Sequence, residues 1–174
     1  MVTINKLDAA REQLEAASEL YFREMGIASI HTLAAAAFEV VEALAERRET
    51  STLIQENLLN YLTEEMKQEV LQAMRTPQNF FKHADRDPEA ELELEPKFTE
   101  MLMIFAVTTY WRLTGQLPPI CDAFANWVLL QQPEWLKNVP AAEGLLRKAK
   151  ELAGSMSRME FRDGYLANCS PGRA

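Results

Sequence analysis

The chain predicts an all-α fold, a multi-helix bundle of at least six helices with one short extended segment near residues 89–95. Three observations carry this reading. Only 6 glycines interrupt 174 residues, apolar positions recur at spacings of three and four along most of the chain, and a single stretch alternates with period two. With 48% hydrophobic and 25% charged residues, the composition is that of a packed globular domain rather than a disordered or disulfide-rich chain. One helical domain over residues 1–168 with a frayed tail at 169–174 is the economical organisation.

The first helix follows from the apolar stripe Ile4, Leu7, Leu14, Ser18, Tyr21, Phe22 and Met25. Asp8, Glu12, Glu15 and Glu19 lie on its other side, and Gly26 supplies the stop. Ser29 reads as the N-cap of a second helix whose Ile30, Leu33, Ala34, Ala37, Val41, Leu44 and Ala45 share one face. Its alanines leave little bulk and let neighbours approach closely, which places this helix at the centre of the bundle. Apolar stretches at Thr52–Tyr61 and Glu64–Met74, the latter capped by Thr63, continue the pattern. Thr76-Pro77 reads as a restart, with Thr76 as cap and Pro77 at the first helical position, and Asp87-Pro88 as an interruption. The alternation Glu89 to Glu95 fits an extended piece laid across the bundle with its charges outward, closed by Pro96.

Thr99 opens the most apolar helix, Met101–Leu113, which Gly115 ends. Pro119 starts the next, with Phe124, Trp127, Val128 and Leu130 on its apolar face, up to Pro133. Pro140 starts another, carrying Leu145, Leu146, Ala149 and Leu152, and Met156–Leu166 is the last. Phe105, Tyr110, Trp111, Phe124, Trp127 and Trp135 are expected in the core rather than as a stacking platform, because no basic residues interleave them.

The charge balance narrows function. The chain holds 26 acidic and 18 basic residues, net -8, and residues 1–100 alone hold 20 and 10. Such a surface repels phosphate backbones, so nucleic acid is disfavoured as a partner. The charge-free run Met101–Trp111 is 11 residues, short of the roughly 20 a bilayer requires, so no membrane span is expected. The first residues lack an export signal, and the cytoplasm is the expected compartment. Cys121 and Cys169 stand 48 positions apart and offer neither a disulfide framework nor paired zinc ligands.

No glycine-rich phosphate loop, nucleophile elbow, histidine pair at helical spacing or Glu-x-x-His motif is present. What stands out is Thr76–Pro88, which gathers Gln78, Asn79, Lys82, His83, Asp85, Arg86 and Asp87 near the end of a short helix. Asn79 and His83, four apart, share a face, so the amide can orient the ring or a ligand beside it. The helix C-terminus and the carboxylates of Asp85 and Asp87 favour a charged imidazole. Local capping accounts for the same residues, with Phe80 and Phe81 anchoring the helix and the polar side chains binding the following loop. His31, at the edge of the second helix's apolar face, reads first as a half-buried histidine of the first turn and second as a ligand. Glu39, opposite the apolar stripe, either faces water or points at a partner.

Two blocks, Ser29–Val40 and Asn79–Pro88, resemble those of a group of small uncharacterised bacterial helical proteins. The second block also resembles the motif of the HEPN superfamily (higher eukaryotes and prokaryotes nucleotide-binding), small helical bundles that often dimerise and whose active members cleave RNA without metal. In that motif an arginine is followed by four to six residues and a histidine. Here Gln78 takes the arginine's place, Asn79 that of the polar neighbour and His83 that of the histidine. Arg75 lies too far from His83 to substitute. Gln78 cannot supply charge at a scissile phosphate, so the resemblance implies a non-catalytic member.

The function expected from these readings is that of a non-catalytic interaction or regulatory protein, homodimeric, binding a nucleotide or a protein partner. No catalytic residue, cofactor or metal ligand is assigned. The binding candidates are Gln78, Asn79, Lys82, His83, Asp85, Arg86, Asp87, Glu39 and His31. The alternatives are a metal-independent ribonuclease using His83, and a metal-binding protein using His83, Asp85, Asp87 and His31.

Overall fold

The computed structural model describes residues 1–57, 64–83, 85, 88–132 and 154–169. Seven helices lie among them, with no strand: α1 Lys6–Phe22, α2 Ile27–Arg47, α3 Leu53–Asn57, α4 Glu64–Lys82, α5 Pro96–Thr114, α6 Pro119–Gln131 and α7 Arg158–Cys169. The predicted all-α bundle is the observed architecture. The predicted helix from Pro140, together with Trp135, Arg86 and Asp87, lies outside the described residues.

Alanine patterning sets the arrangement. Ala34, Ala37 and Ala45 of α2 are fully buried beside Ile30 and Val41, and α2 packs against α1 on one side, α5 on another and α4 on a third. Methyl-sized side chains let three backbones approach one helix, and larger residues from the neighbours fill the space between. Those are Leu14 and Phe22 of α1 and Leu102, Met103 and Val107 of α5, with Phe124 and Val128 of α6 behind them. α7 closes the far side of α6: Phe161 meets Trp127 at 5.1 Å, and the Tyr165 hydroxyl donates to Asp122 at 2.6 Å.

Several boundaries differ from expectation. Gly26 does not end α1. Glu24 makes the left-handed turn at φ 53°, with the Met25 N–H donating to the Leu20 carbonyl at 3.0 Å and the Glu24 N–H to that of Tyr21 at 3.1 Å. These bonds satisfy the helix-end carbonyls and outweigh the cost of left-handed backbone at a non-glycine residue, of order 1 kcal/mol. Gly26 becomes the N-cap of α2, and Ser29 lies inside the helix rather than capping it. Glu49, at φ 54°, closes α2 in the same way. Gly115 does end α5, at φ 72°, and Pro119 does start α6.

Thr76-Pro77 does not restart a helix, because α4 runs through it. Proline removes one N–H from the ladder, but the Thr76 hydroxyl donates to the Gln72 carbonyl at 2.9 Å and Met74, Pro77 and Gln78 are all buried. Packing on one turn offsets the missing bond. The 89–95 segment pairs with no strand, yet its alternation survives as burial, with Leu92 and Leu94 half-buried and Glu91, Glu93 and Glu95 exposed. Pro96 opens α5 rather than closing the extended piece, so Thr99 falls inside the helix.

Trp111 is 52% exposed, against the expectation of burial, because a helix apolar on most sides does not announce which side meets the core. Tyr110, Phe124 and Trp127 are buried and Phe105 is half-buried. By length and composition α2 is long and apolar enough to cross a membrane, a test that buried core helices also pass. In this fold its buried stripe faces α1 and α5.

Because Ala37 has no exposed surface where α2 is crowded, Ala37→Leu is expected to overpack the crossing and cost about 1–3 kcal/mol. Urea unfolding of the variant measures this, and a loss under about 0.5 kcal/mol would place Ala37 away from any close helix contact.

Candidate functional site

One flank of α2 carries Glu39, Glu42 and Glu46, whose spacing of three and four stacks them in a row beside the buried stripe. Across from them α4 presents Met74, Arg75 and Gln78, and α3 contributes Gln55. The two walls enclose a cavity of about 340 Å³ whose floor is Ala35, Phe38, Met74 and Leu102. An apolar floor under a few convergent polar groups is the usual build of a small-molecule site.

Gln78 locks the walls together. It is 2% exposed, and in the amide orientation that satisfies both partners its nitrogen donates to Glu39 Oε1 at 2.7 Å while its oxygen accepts from Lys82 Nζ at 2.7 Å. Three of the residues singled out in the sequence are thus brought together. Buried amides are stable only when both ends are paired, so this contact fixes the position of α4 on α2.

Glu42 sits deeper. Its carboxylate accepts from the Thr109 hydroxyl at 3.0 Å and, more weakly, from that of Thr52 at 3.4 Å. Burial pushes its pKa above the ordinary carboxylate value, the two hydroxyls pull it down, and the neighbouring Glu46 charge pushes it up again. Among the described residues no cation pairs with it. α3 is pinned against α5 by Arg112, which forks onto Glu56 at 2.8 and 2.8 Å and donates to the Ser51 carbonyl at 2.7 Å. Hydrogen bonds from Arg112 first, then Ser51, hold Glu56 down to about 2. That clamp sets the α3 end of the cavity, where the Gln55 side chain accepts from the Thr52 N–H at 3.2 Å.

The remaining candidates do not converge on this cavity. His83 lies at the end of α4, with Nδ1 4.0 Å from Asp85 Oδ1, and both side chains are substantially exposed. Its backbone N–H donates to the Asn79 carbonyl at 3.1 Å, an ordinary helical bond, and the Asn79 side chain is exposed. His31 is fully buried rather than half-buried, because α4 and α5 both pack on its flank of α2. Its Nδ1 lies 3.0 Å from Thr99 Oγ1, its ring stacks on Phe98 at 6.2 Å and meets Phe81 edge-on at 6.1 Å, and Nε2 has no hydrogen-bond partner among the described residues. Among the described residues no three His, Cys, Asp or Glu side chains are placed to share a metal ion.

Glu42, Glu46, Gln55 and Arg75 were not foreseen as site residues. The carboxylate row was visible as a spacing, but the same spacing marks any solvated helix face, and only the position of α4 distinguishes the two. Comparison with protein-family models, curated proteins and solved structures finds no match to this chain.

Burial pushes His31 down to about 4 from an ordinary 6.5. The folded state therefore binds fewer protons than the unfolded one between those values. Stability is complete above pH 6.5 and falls as the pH drops toward 4, by up to about 3 kcal/mol. His31→Leu should flatten this part of the acid limb in denaturant titrations across the range, whereas an unchanged limb would show that His31 is not the group responsible.

Proposed function

We propose that this chain is a non-catalytic helical binding protein that takes a small organic cation in the cleft between α2 and α4. The observation that carries the reading is Glu42, a carboxylate half-buried in a cavity of about 340 Å³ and, among the described residues, paired with hydroxyls and with no cation. A partly desolvated negative charge without a counterion is costly, and a ligand ammonium bearing an alkyl chain relieves it while covering the apolar floor. Among the described lining residues, Glu39 and Glu46 join Glu42 to give three carboxylates against one guanidinium, that of Arg75. That balance disfavours nucleotides and other anions.

The non-catalytic part of the proposal rests on the separation of the groups. Gln78, at the arginine's place in the HEPN-like motif, is engaged with Glu39 and Lys82, while His83 stands at the helix end with Asp85 at 4.0 Å. General acid–base work requires a base within hydrogen-bond reach of a bound substrate's proton and a partner to orient it, and His83 has neither in this cleft. On this reading His83 and Asp85 belong to the end of α4 and not to the site.

A thermal-shift titration with 1,4-diaminobutane, against butane-1,4-diol as the uncharged match, tests the proposal. The diamine is expected to raise the melting temperature, reaching about 2.7 kcal/mol of stabilisation at a hundred times Kd, and the diol to leave it unchanged. Glu42→Gln should remove the shift and His83→Ala should keep it. A diamine shift that survives Glu42→Gln, or no shift at all, would count against the cleft.

A further inference from the structure

We infer that the outward face of α2 is a self-association surface, on which a second copy of this chain packs its own α2 antiparallel to the first. The reading is independent of the cleft proposal, although Glu39 and Ala43 border both surfaces.

α2 is packed by α1, α4 and α5, yet one side of it stays open along much of its length. Only 39% of its most apolar window is buried. Along that side Ser29, Leu33, Ala36, Val40, Ala43 and Arg47 follow one another at spacings of four, three, four, three and four, Leu33 and Val40 resting on the core with their inner edges. That repeat makes a straight seam along a helix and is the period on which two helices pack side by side. Leu33, Ala36 and Val40 are half-buried, and Ser29, Ala43 and Arg47 are exposed. Beside the seam a groove of about 380 Å³ runs between the start of α1 and the second half of α2. Val40, Ala43 and Leu44 form its walls, with Lys6, Glu39 and Arg47 at its edges.

Charge selects the occupant and its direction. Glu39 and Arg47 lie eight positions apart, on either side of the Val40–Ala43 contact. Turning a second copy about a two-fold axis between Val40 and Ala43 sets each Val40 against the small Ala43 of the other copy. Each Arg47 then lies over the other copy's Ala36, one helical turn from its Glu39. A parallel arrangement instead sets Glu39 on Glu39 and Arg47 on Arg47, which repel. The face is thus complementary to itself in one orientation only, as a two-fold interface requires. With the axis between Val40 and Ala43, residues 36–47 of the two helices overlap, a contact about 17 Å long and one helix wide. It is smaller than the roughly 800 Å² per partner of a standard stable complex, so association in the micromolar range is expected.

Sedimentation equilibrium of the full chain from about 1 to 200 μM reads this directly, since a micromolar Kd falls inside that span. The unaltered chain is expected to reach twice its monomer mass. Ala36→Glu should hold it at monomer mass, with its helical circular dichroism and low-concentration melting temperature unchanged. Arg47→Glu should likewise stay monomeric, because its new carboxylate comes near the other copy's Glu39. An unaltered chain that stays monomeric throughout leaves the face to another occupant and overturns the inference. So does a dimer insensitive to Ala36→Glu or to Arg47→Glu.

Discussion

The close approach of α1 and α5 to one alanine-rich face is the constraint from which the rest of this structure follows. Ala34, Ala37 and Ala45 have no exposed surface, and a helix with so little bulk on its inner side can be shared by several neighbours. Burial of that face leaves α2 two further flanks. One meets α4 and carries the carboxylate row. The other meets the start of α1 and carries the Leu33–Val40–Ala43 seam. Core, cleft and outer surface are therefore three faces of one helix, and a displacement of α2 disturbs all of them together.

Glu42 illustrates how packing creates chemistry. On an isolated helix it is one of several glutamates, ionised and solvated. Once α5 supplies Thr109 and the turn before α3 supplies Thr52, the carboxylate loses water and gains hydroxyl donors that hold it without neutralising it. Gln78 plays the complementary part on the opposite wall, spending both ends of its amide on Glu39 and Lys82. His31 shows the other outcome of burial. It stays neutral, flanked by aromatic rings and Thr99, and joins α2, α4 and α5 without opening onto the cleft.

Periodicity made the core legible. Ile30, Ala34, Ala37, Val41 and Ala45 were placed on one face by spacing alone and are buried, with Leu33 and Leu44 at its half-buried margins. Gly115 and Pro119 marked a helix end and a helix start that occur where local chemistry puts them. Signals that compete with tertiary packing were less legible. Pro77 has the character of a break, yet α4 continues because the turn that contains it is buried. Trp111 has the character of a core residue, yet it sits on the outer side of a helix that is apolar on most sides. Of the site, Glu39, Gln78 and Lys82 were legible as polar residues of interest, while their meeting across two helices was not. The pairing of α4 with α2 joins residues about 39 positions apart, and no local pattern encodes which pair of flanks will meet.

Native-state hydrogen exchange tests most directly the claim that α2 is the element the others depend on. The amides of Ala34, Ala37 and Val41 are expected to exchange only through global unfolding, at the free energy obtained from denaturant titration, while α3 and α4 open at lower cost. Exchange from the middle of α2 at a free energy well below the global value, with α5 still protected, would contradict the account.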